Sequence, residues 1–389
     1  MEIKDLRLAV VGLCGVYATS AIAIEPASIE LEGFNVIPQL SVQLGHNDNI
    51  FSTETNEKSS AITVVNPSVQ FVTENRNDAY RVTYDLKVGT FHDSRADDYV
   101  DHSLTGEAVL ELNSRNRVHI TAGLDKIHED RGSNNAATGD KPARYTDKKL
   151  SGLYTYGAEG AKGNVEVLAT YVDHTYDNLG TLNDSREREN LGLDTTFFYR
   201  VAPKTRALFE VRLEDIDYKL GSSPLDNTEI KYLVGVNWDA TAKTSGTAKF
   251  GYQEKDYDSA SRNDQDSSSW EITARWSPLT YSTVDLSTSR EYEEASGNED
   301  GIDTENYSVS WNHFWNDRFS TQASLTRINE DYVGITREDD TDMVTVGFNY
   351  ELQRWLAVNF GYTYSDKDSN TPNESETKNL FMLTFQGSL

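Results

Sequence analysis

Catalysis and metal binding require reactive side chains at set spacings, and the histidines of this chain have none. His46, His92, His102, His119, His128, His174 and His313 are scattered singly, and the one cysteine, Cys14, lies near the N-terminus. No zinc-site spacing results. Two acidic stretches, Asp339-Asp340-Thr341-Asp342 and Asn298 to Asp303, offer a loose site for a divalent ion. Neither carries the fixed Gly and Glu of a calcium loop, and acidic loop tips are ordinarily just solvated. No catalytic set, resident metal or cofactor is expected.

The informative charges are those that recur at every second residue. Arg81, Asp85 and Lys87 alternate with Tyr80, Val82, Tyr84, Leu86 and Val88. A β-strand has a side-chain period of two, so this places charge on one face and apolar bulk on the other. The same parity holds Glu107 and Glu111, then Arg206, Glu210, Arg212 and Glu214, then Lys249, Glu271, Arg275 and Asp285. With Ser, Thr, Asn, Gln and Gly between them, they form the mixed-sign wall expected of a water-filled barrel. Each is a predicted pore-lining residue.

The elements that must carry such a wall are many and regular. Further alternating segments begin near Leu40, Val69, Leu150, Val165, Leu191, Ile230, Tyr307, Phe319, Val344 and Leu356. Eight short connections, from Asn75–Asp78 to Leu352–Trp355, are rich in Asn, Asp, Gly and Pro, as tight hairpins demand. Nine longer acidic segments fall between them, so the seventeen connections join eighteen strands. The expected fold is all-β: a transmembrane antiparallel up-and-down barrel spanning residues 36–389, with short periplasmic turns and longer extracellular loops. A soluble sandwich or propeller also alternates, but it seldom reaches so many regular strands without a second core.

Composition and termini agree with a membrane barrel. Only 37 % of the 389 residues are hydrophobic, too few for an ordinary soluble core, while 41 aromatics argue against disorder. The net charge of −27 excludes nucleic acid as a partner. Residues 1–23 are expected to be a signal peptide, with Lys4 and Arg7 before the apolar run Leu8 to Tyr17 and a small-x-small cleavage site at Ala21 and Ala23. A short periplasmic segment, 24–35, follows. Phe381, Leu383, Phe385, Gly387 and Leu389 alternate to the chain end, the signal by which barrel-assembly machinery takes up a terminal strand. Trp238, Trp276, Trp315 and Trp355 sit beside short turns; Tyr99, Tyr145, Tyr218, Tyr257, Tyr292 and Tyr332 sit beside long loops. Two aromatic girdles against the outer-membrane lipids and lipopolysaccharide are expected.

A barrel of this size leaves a channel unless a plug fills it, and 24–35 is too short for a plug. Mid-strand inward positions hold almost no aromatics on which sugar rings could slide; Phe91 and Phe198 point inward toward strand ends. The longest loop, about Ile127 to Tyr145, either folds inward to narrow the channel or stays at the surface. Outer-membrane proteases, phospholipases and deacylases use smaller barrels with catalytic residues near the outer rim, a cluster that sequence alone does not reveal.

The opening of the barrel carries a resemblance. Val36-Ile37-Pro38-Gln39-Leu40-Ser41-Val42, followed by Gly45-His46-Asn47-Asp48-Asn49-Ile50-Phe51, resembles the first strand of the beta-barrel porin type two family found in exopolysaccharide and capsule loci. His46 and Asn47 stand where that family usually has Tyr and Asp. The resemblance implies a passive outer-membrane exit for a polysaccharide in transit, working with a periplasmic polysaccharide-export protein. The alternative is a general or substrate-selective diffusion porin for small solutes. An adhesin would place function in the acidic loops instead.

Overall fold

A computed structural model of the chain describes residues 28–131, 140–158, 160–241, 243–294 and 299–388. The predicted cleavage residues Ala21 and Ala23, the terminal Leu389 and the middle of the third long loop fall outside these residues. The strands are β1 Ile29–Leu31, β2 Phe34–Asn47, β3 Ser60–Asn75, β4 Asp78–Phe91, β5 Tyr99–Asn113, β6 Asn116–Glu129, β7 Ala143–Tyr156, β8 Gly163–Tyr176 and β9 Arg188–Ala202. They continue as β10 Thr205–Tyr218, β11 Asn227–Thr241, β12 Thr244–Tyr257, β13 Gln265–Leu279, β14 Ser282–Glu293, β15 Gly301–Asn316, β16 Phe319–Val333, β17 Glu338–Gln353, β18 Leu356–Ser369 and β19 Glu376–Ser388.

Every strand pairs antiparallel with its sequence neighbours, and β19 pairs back onto β2 from Leu380↔Asn47 to Ser388↔Gln39. The eighteen strands β2 to β19 therefore form a closed ring, as the alternating pattern requires. Closure leaves no unpaired edge inside a membrane, where an unbonded N–H or C=O has no water to turn to. The three residues of β1 fold back on the start of β2, pairing Ile29 with Val36 below the point where β19 ends. No helix among the described residues is long and apolar enough to cross a membrane.

The outside of the ring is apolar because the outward parity is. Val82, Leu104, Leu191, Phe209, Val234, Phe250, Leu325 and Val346 all expose more than a third of their surface. Trp276, Trp315 and Trp355 are about half exposed beside the short turns, at 50 %, 58 % and 52 %. That is the lipid-facing girdle expected at one interface.

The opposite girdle is not there as expected. Tyr99, Tyr218, Tyr257 and Tyr332 are buried, at 6 %, 5 %, 9 % and 4 % exposed. Each shares the parity of the inward charges, and so does Tyr145, whose alternation is with Asp147 and Lys149. Only Tyr292 has the outward parity, with Val284 and Leu286. The strands run well past the apolar band, so their distal tyrosines turn inward and pack under the loops.

Candidate functional site in the lumen

The strand register puts all twelve predicted wall residues on the face opposite the exposed apolar side chains. Several of them meet. Arg81 on β4 bonds Glu107 on β5 at 3.1 Å, with His119 of β6 on the far side of that carboxylate. Arg275 on β13 grips Asp285 on β14 through two nitrogens, at 2.6 and 3.2 Å. Four more converge halfway along the wall. Arg212 bonds Glu210 at 2.5 Å and reaches from β10 to β13 to bond Glu271 at 2.5 and 2.8 Å. Lys249 on β12 sits between the two acids, 3.0 Å from Glu210 and 3.2 Å from Glu271.

This cluster spans strands that are not neighbours, which only an inward-curving surface allows. Thr196 on β9 extends it, donating to Glu210 at 3.1 Å. Beneath it Leu233, inward on β11, has no exposed surface at all. Charge-assisted hydrogen bonds of this kind are the strong ones, and here each acid also answers a cation.

The remaining predicted residues stand apart. Lys87 lies over the ring of Tyr99, 5.6 Å from its centroid. Asp85 faces Ser68 and Ser103 across its two ladders. Glu111 is opposite Arg117. Arg206 bonds the side-chain oxygen of Asn237 at 3.1 Å and covers Phe198 at 4.7 Å.

The wall has two halves. From β4 to β14 it carries the charges. From β15 around to β3 its middle positions are Ser308, Ser310, Gln322, Ser324, Thr345, Thr363, Thr384, Gln43 and Asn66. Hydroxyls pair across strands there, Ser308 with Thr326 at 3.2 Å and Thr345 with Thr363 at 3.1 Å. A charged half thus faces a neutral one across the lumen.

The outer mouth adds an inward collar that the sequence reading missed. Tyr99 stacks on His128 with centroids 3.6 Å apart, and His128 bonds Asp101 at 2.9 Å. His174 lies between Tyr145 and Tyr176 and bonds Asp147 at 2.6 Å. Arg186 covers Tyr176 and takes both oxygens of Glu129, at 2.7 and 3.0 Å. Burial works against the charge of Arg186, but Glu129 outweighs it and holds the guanidinium more firmly protonated than usual. Glu294, just past β14, accepts from Tyr218 at 2.5 Å and from the fully buried Lys255. Burial alone would raise the Glu294 carboxyl; Lys255 and Arg188 overcome that and hold it below the ordinary carboxylate range.

Of the acidic stretch 339–342, Asp339 belongs to this collar. Arg337 bonds Asp339 at 2.6 Å and lies over Tyr332, while Asp340 and Asp342 pair with Arg327 on the exposed outer face. No group of three metal-ligating side chains occurs among the described residues. Parity was the signal that could have found the collar, since each tyrosine except Tyr292 continues an inward series.

Comparison with known proteins agrees with this geometry. A family model described as "Putative beta-barrel porin 2" matches residues 23–388. Among solved structures, the chain is similar to OpdO of Pseudomonas aeruginosa, with TM-score 0.53, 12 % identity, and 92 % of this chain and 98 % of that one covered. It is similar to OccK2 (OpdF) of the same organism, with TM-score 0.53 and 10 % identity over 93 % and 100 % of the two chains. The FrpB iron transporter of Neisseria meningitidis also matches, at TM-score 0.53 and 11 % identity over 86 % of this chain. This chain spans only 62 % of the FrpB length. No curated protein matches.

Proposed function

The chain belongs to the beta-barrel porin 2 family of the Gram-negative outer membrane, and on that premise we propose that it is a diffusion channel for small hydrophilic solutes. One observation carries the reading: the Glu210–Arg212–Lys249–Glu271 cluster projects from the charged half of the wall at mid-height, facing hydroxyls and amides. A solute that sheds part of its hydration finds donors and acceptors on both sides, and charge balance keeps either sign from being trapped. The predicted wall residues are the contacts it would meet. Porin-type channels conduct without catalysis, and no reaction is assigned to this one.

The test is reconstitution of the purified barrel in planar bilayers and in liposomes. Step conductances in potassium chloride, with liposome swelling in small sugars and amino acids but not in long oligosaccharides, are expected. Absence of any conductance would overturn the reading.

Export of an exopolysaccharide or capsular polysaccharide is the second reading, favoured by the neutral half from β15 to β3, along which a hydrated polymer would slide without sticking. The short turns would then offer a flat rim to a periplasmic polysaccharide-export protein. Deletion in the native host decides: loss of surface polymer with periplasmic accumulation supports export, and unchanged polymer with slower solute uptake supports diffusion.

A further inference from the structure

Most inward cations of the wall have an acid within reach, which makes the exceptions conspicuous. Arg81, Lys149, Arg212, Lys231, Lys249, Lys255 and Arg275 all lie within ion-pair distance of a carboxylate. Among the described residues Lys87, Arg117, Arg188, Arg200 and Arg206 do not, and of these Arg200 and Arg206 form a pair. They are directly opposite one another on β9 and β10, both on the inward face, near the short turn that joins those strands. Among the described residues neither guanidinium has a carboxylate within 4.0 Å.

The pairing lies in the regular register of the β9–β10 ladder, which holds from Arg206↔Arg200 to Tyr218↔Arg188. A β-bulge follows on the turn side, where the register slips between Thr205 and Arg206, so that Val201 is passed over and Thr205 faces Ala202. Bulges of this kind concentrate at barrel rims. Like charges directly opposite on a sheet destabilise it, so an unneutralised arginine pair needs a reason. Its surroundings supply one. Phe198 forms a flat apolar floor under Arg206, and the Asn237 side chain holds that guanidinium from the other side. The guanidinium of Arg200 lies over Gly160 of the neighbouring short turn, where a Cβ would come within 3.7 Å of it. Lys162 stands in that neighbouring turn, while Lys204, in the turn between β9 and β10, answers Asp239 instead. Glu166 on β8 feels Arg206 and Arg117 but lies beyond ion-pair distance of both.

We propose that Arg200 and Arg206 form an oxyanion-binding site at the periplasmic end of the lumen, taking solutes that carry a carboxylate. Two planar guanidinium forks side by side match the two oxygens of a carboxylate, and their half-exposed position leaves them open to the channel. Phe198 would lie under the apolar part of such a solute. Placed at the exit, the site draws anionic solutes past the charge-balanced cluster and releases them toward the periplasm. This deepens the diffusion-channel reading and rests on it.

The experiment is single-channel recording in planar bilayers with D-glucuronate as probe and D-glucose as the neutral control. Concentration-dependent current block by glucuronate, stronger from the periplasmic side and absent with glucose, is expected for the wild type. Arg200→Gln and Arg206→Gln should each weaken the block about ten-fold, the loss of one charged hydrogen-bonding partner. Arg206→Lys, which keeps the charge without the fork, should recover only part of it. Lys204→Gln should leave it unchanged. Heat-dependent mobility on gels confirms that each variant is folded. Conducting channels with no glucuronate block, or an equal loss in Lys204→Gln, would overturn the site while leaving the channel reading intact; failure to conduct at all would remove the channel reading itself.

Discussion

Arg212 and Glu271 stand on strands separated by two others, yet the guanidinium meets both carboxylate oxygens at 2.5 and 2.8 Å. The contact runs across the inner faces of β11 and β12 and makes one charge-balanced ledge of four side chains. What the lumen selects for depends on how that ledge is neutralised.

Glu271→Gln removes one negative charge from the ledge while Arg212 keeps Glu210. A unit charge about 8 Å from a permeant ion in water is worth roughly 0.5 kcal/mol, so cation preference should fall about two-fold. The reversal potential in a salt gradient reads this directly. An unchanged potential would mean that the ledge lies off the conducting path.

The two parities should respond oppositely to the same substitution. Val234→Arg puts a charge on the lipid face, where Val234 is 58 % exposed, and should cost about 2–4 kcal/mol of barrel stability. Ser308→Arg, on the inward face of β15, should be tolerated and should lower conductance instead. Urea unfolding in detergent, followed by tryptophan fluorescence, compares the two.

The seam between first and last strands has its own steric demand. A Cβ on Gly45 would sit 2.1 Å from the Met382 sulfur and 2.7 Å from the Phe381 carbonyl oxygen. Gly45→Val should therefore hinder closure of β2 on β19 and raise the unfolded fraction seen on unheated gels. Gly106→Val, whose nearest neighbour is 4.0 Å away, should fold normally.

Acid should loosen the outer mouth late. Because Lys255 and Arg188 hold the Glu294 carboxyl below its ordinary value, the folded state gains stability from it above the unfolded pKa, and loses that gain as pH falls through the lower folded one. From pH 7 down to about 4.3, the usual glutamate value, the Tyr218–Glu294 contact should persist. It should fail only at lower pH still, as the carboxyl takes up its proton in the folded state. Glu294→Gln should show weakened mouth contacts already at pH 7, read as faster proteolysis of the loop after β14 in intact barrels.

Much of this was legible in the amino-acid order. Alternation such as Tyr80 to Val88 against Arg81 to Lys87 is a direct image of the β-strand's period of two, and the short turns marked where each strand reverses. Face, strand number and antiparallel order follow from local backbone geometry, so sequence alone determined them. It also contained the inward orientation of Tyr99, Tyr218 and Tyr257, which parity reveals and nearness to a loop conceals.

Partnership was another matter. Arg212 meeting Glu271 across two strands depends on the curvature of the closed wall, and Arg200 facing Arg206 depends on the register in which β9 and β10 pair. Neither leaves a trace in the period. Which charges balance, and that Arg200 and Arg206 meet each other rather than an acid, was decided only when the last strand met the first and the ring fixed every register at once.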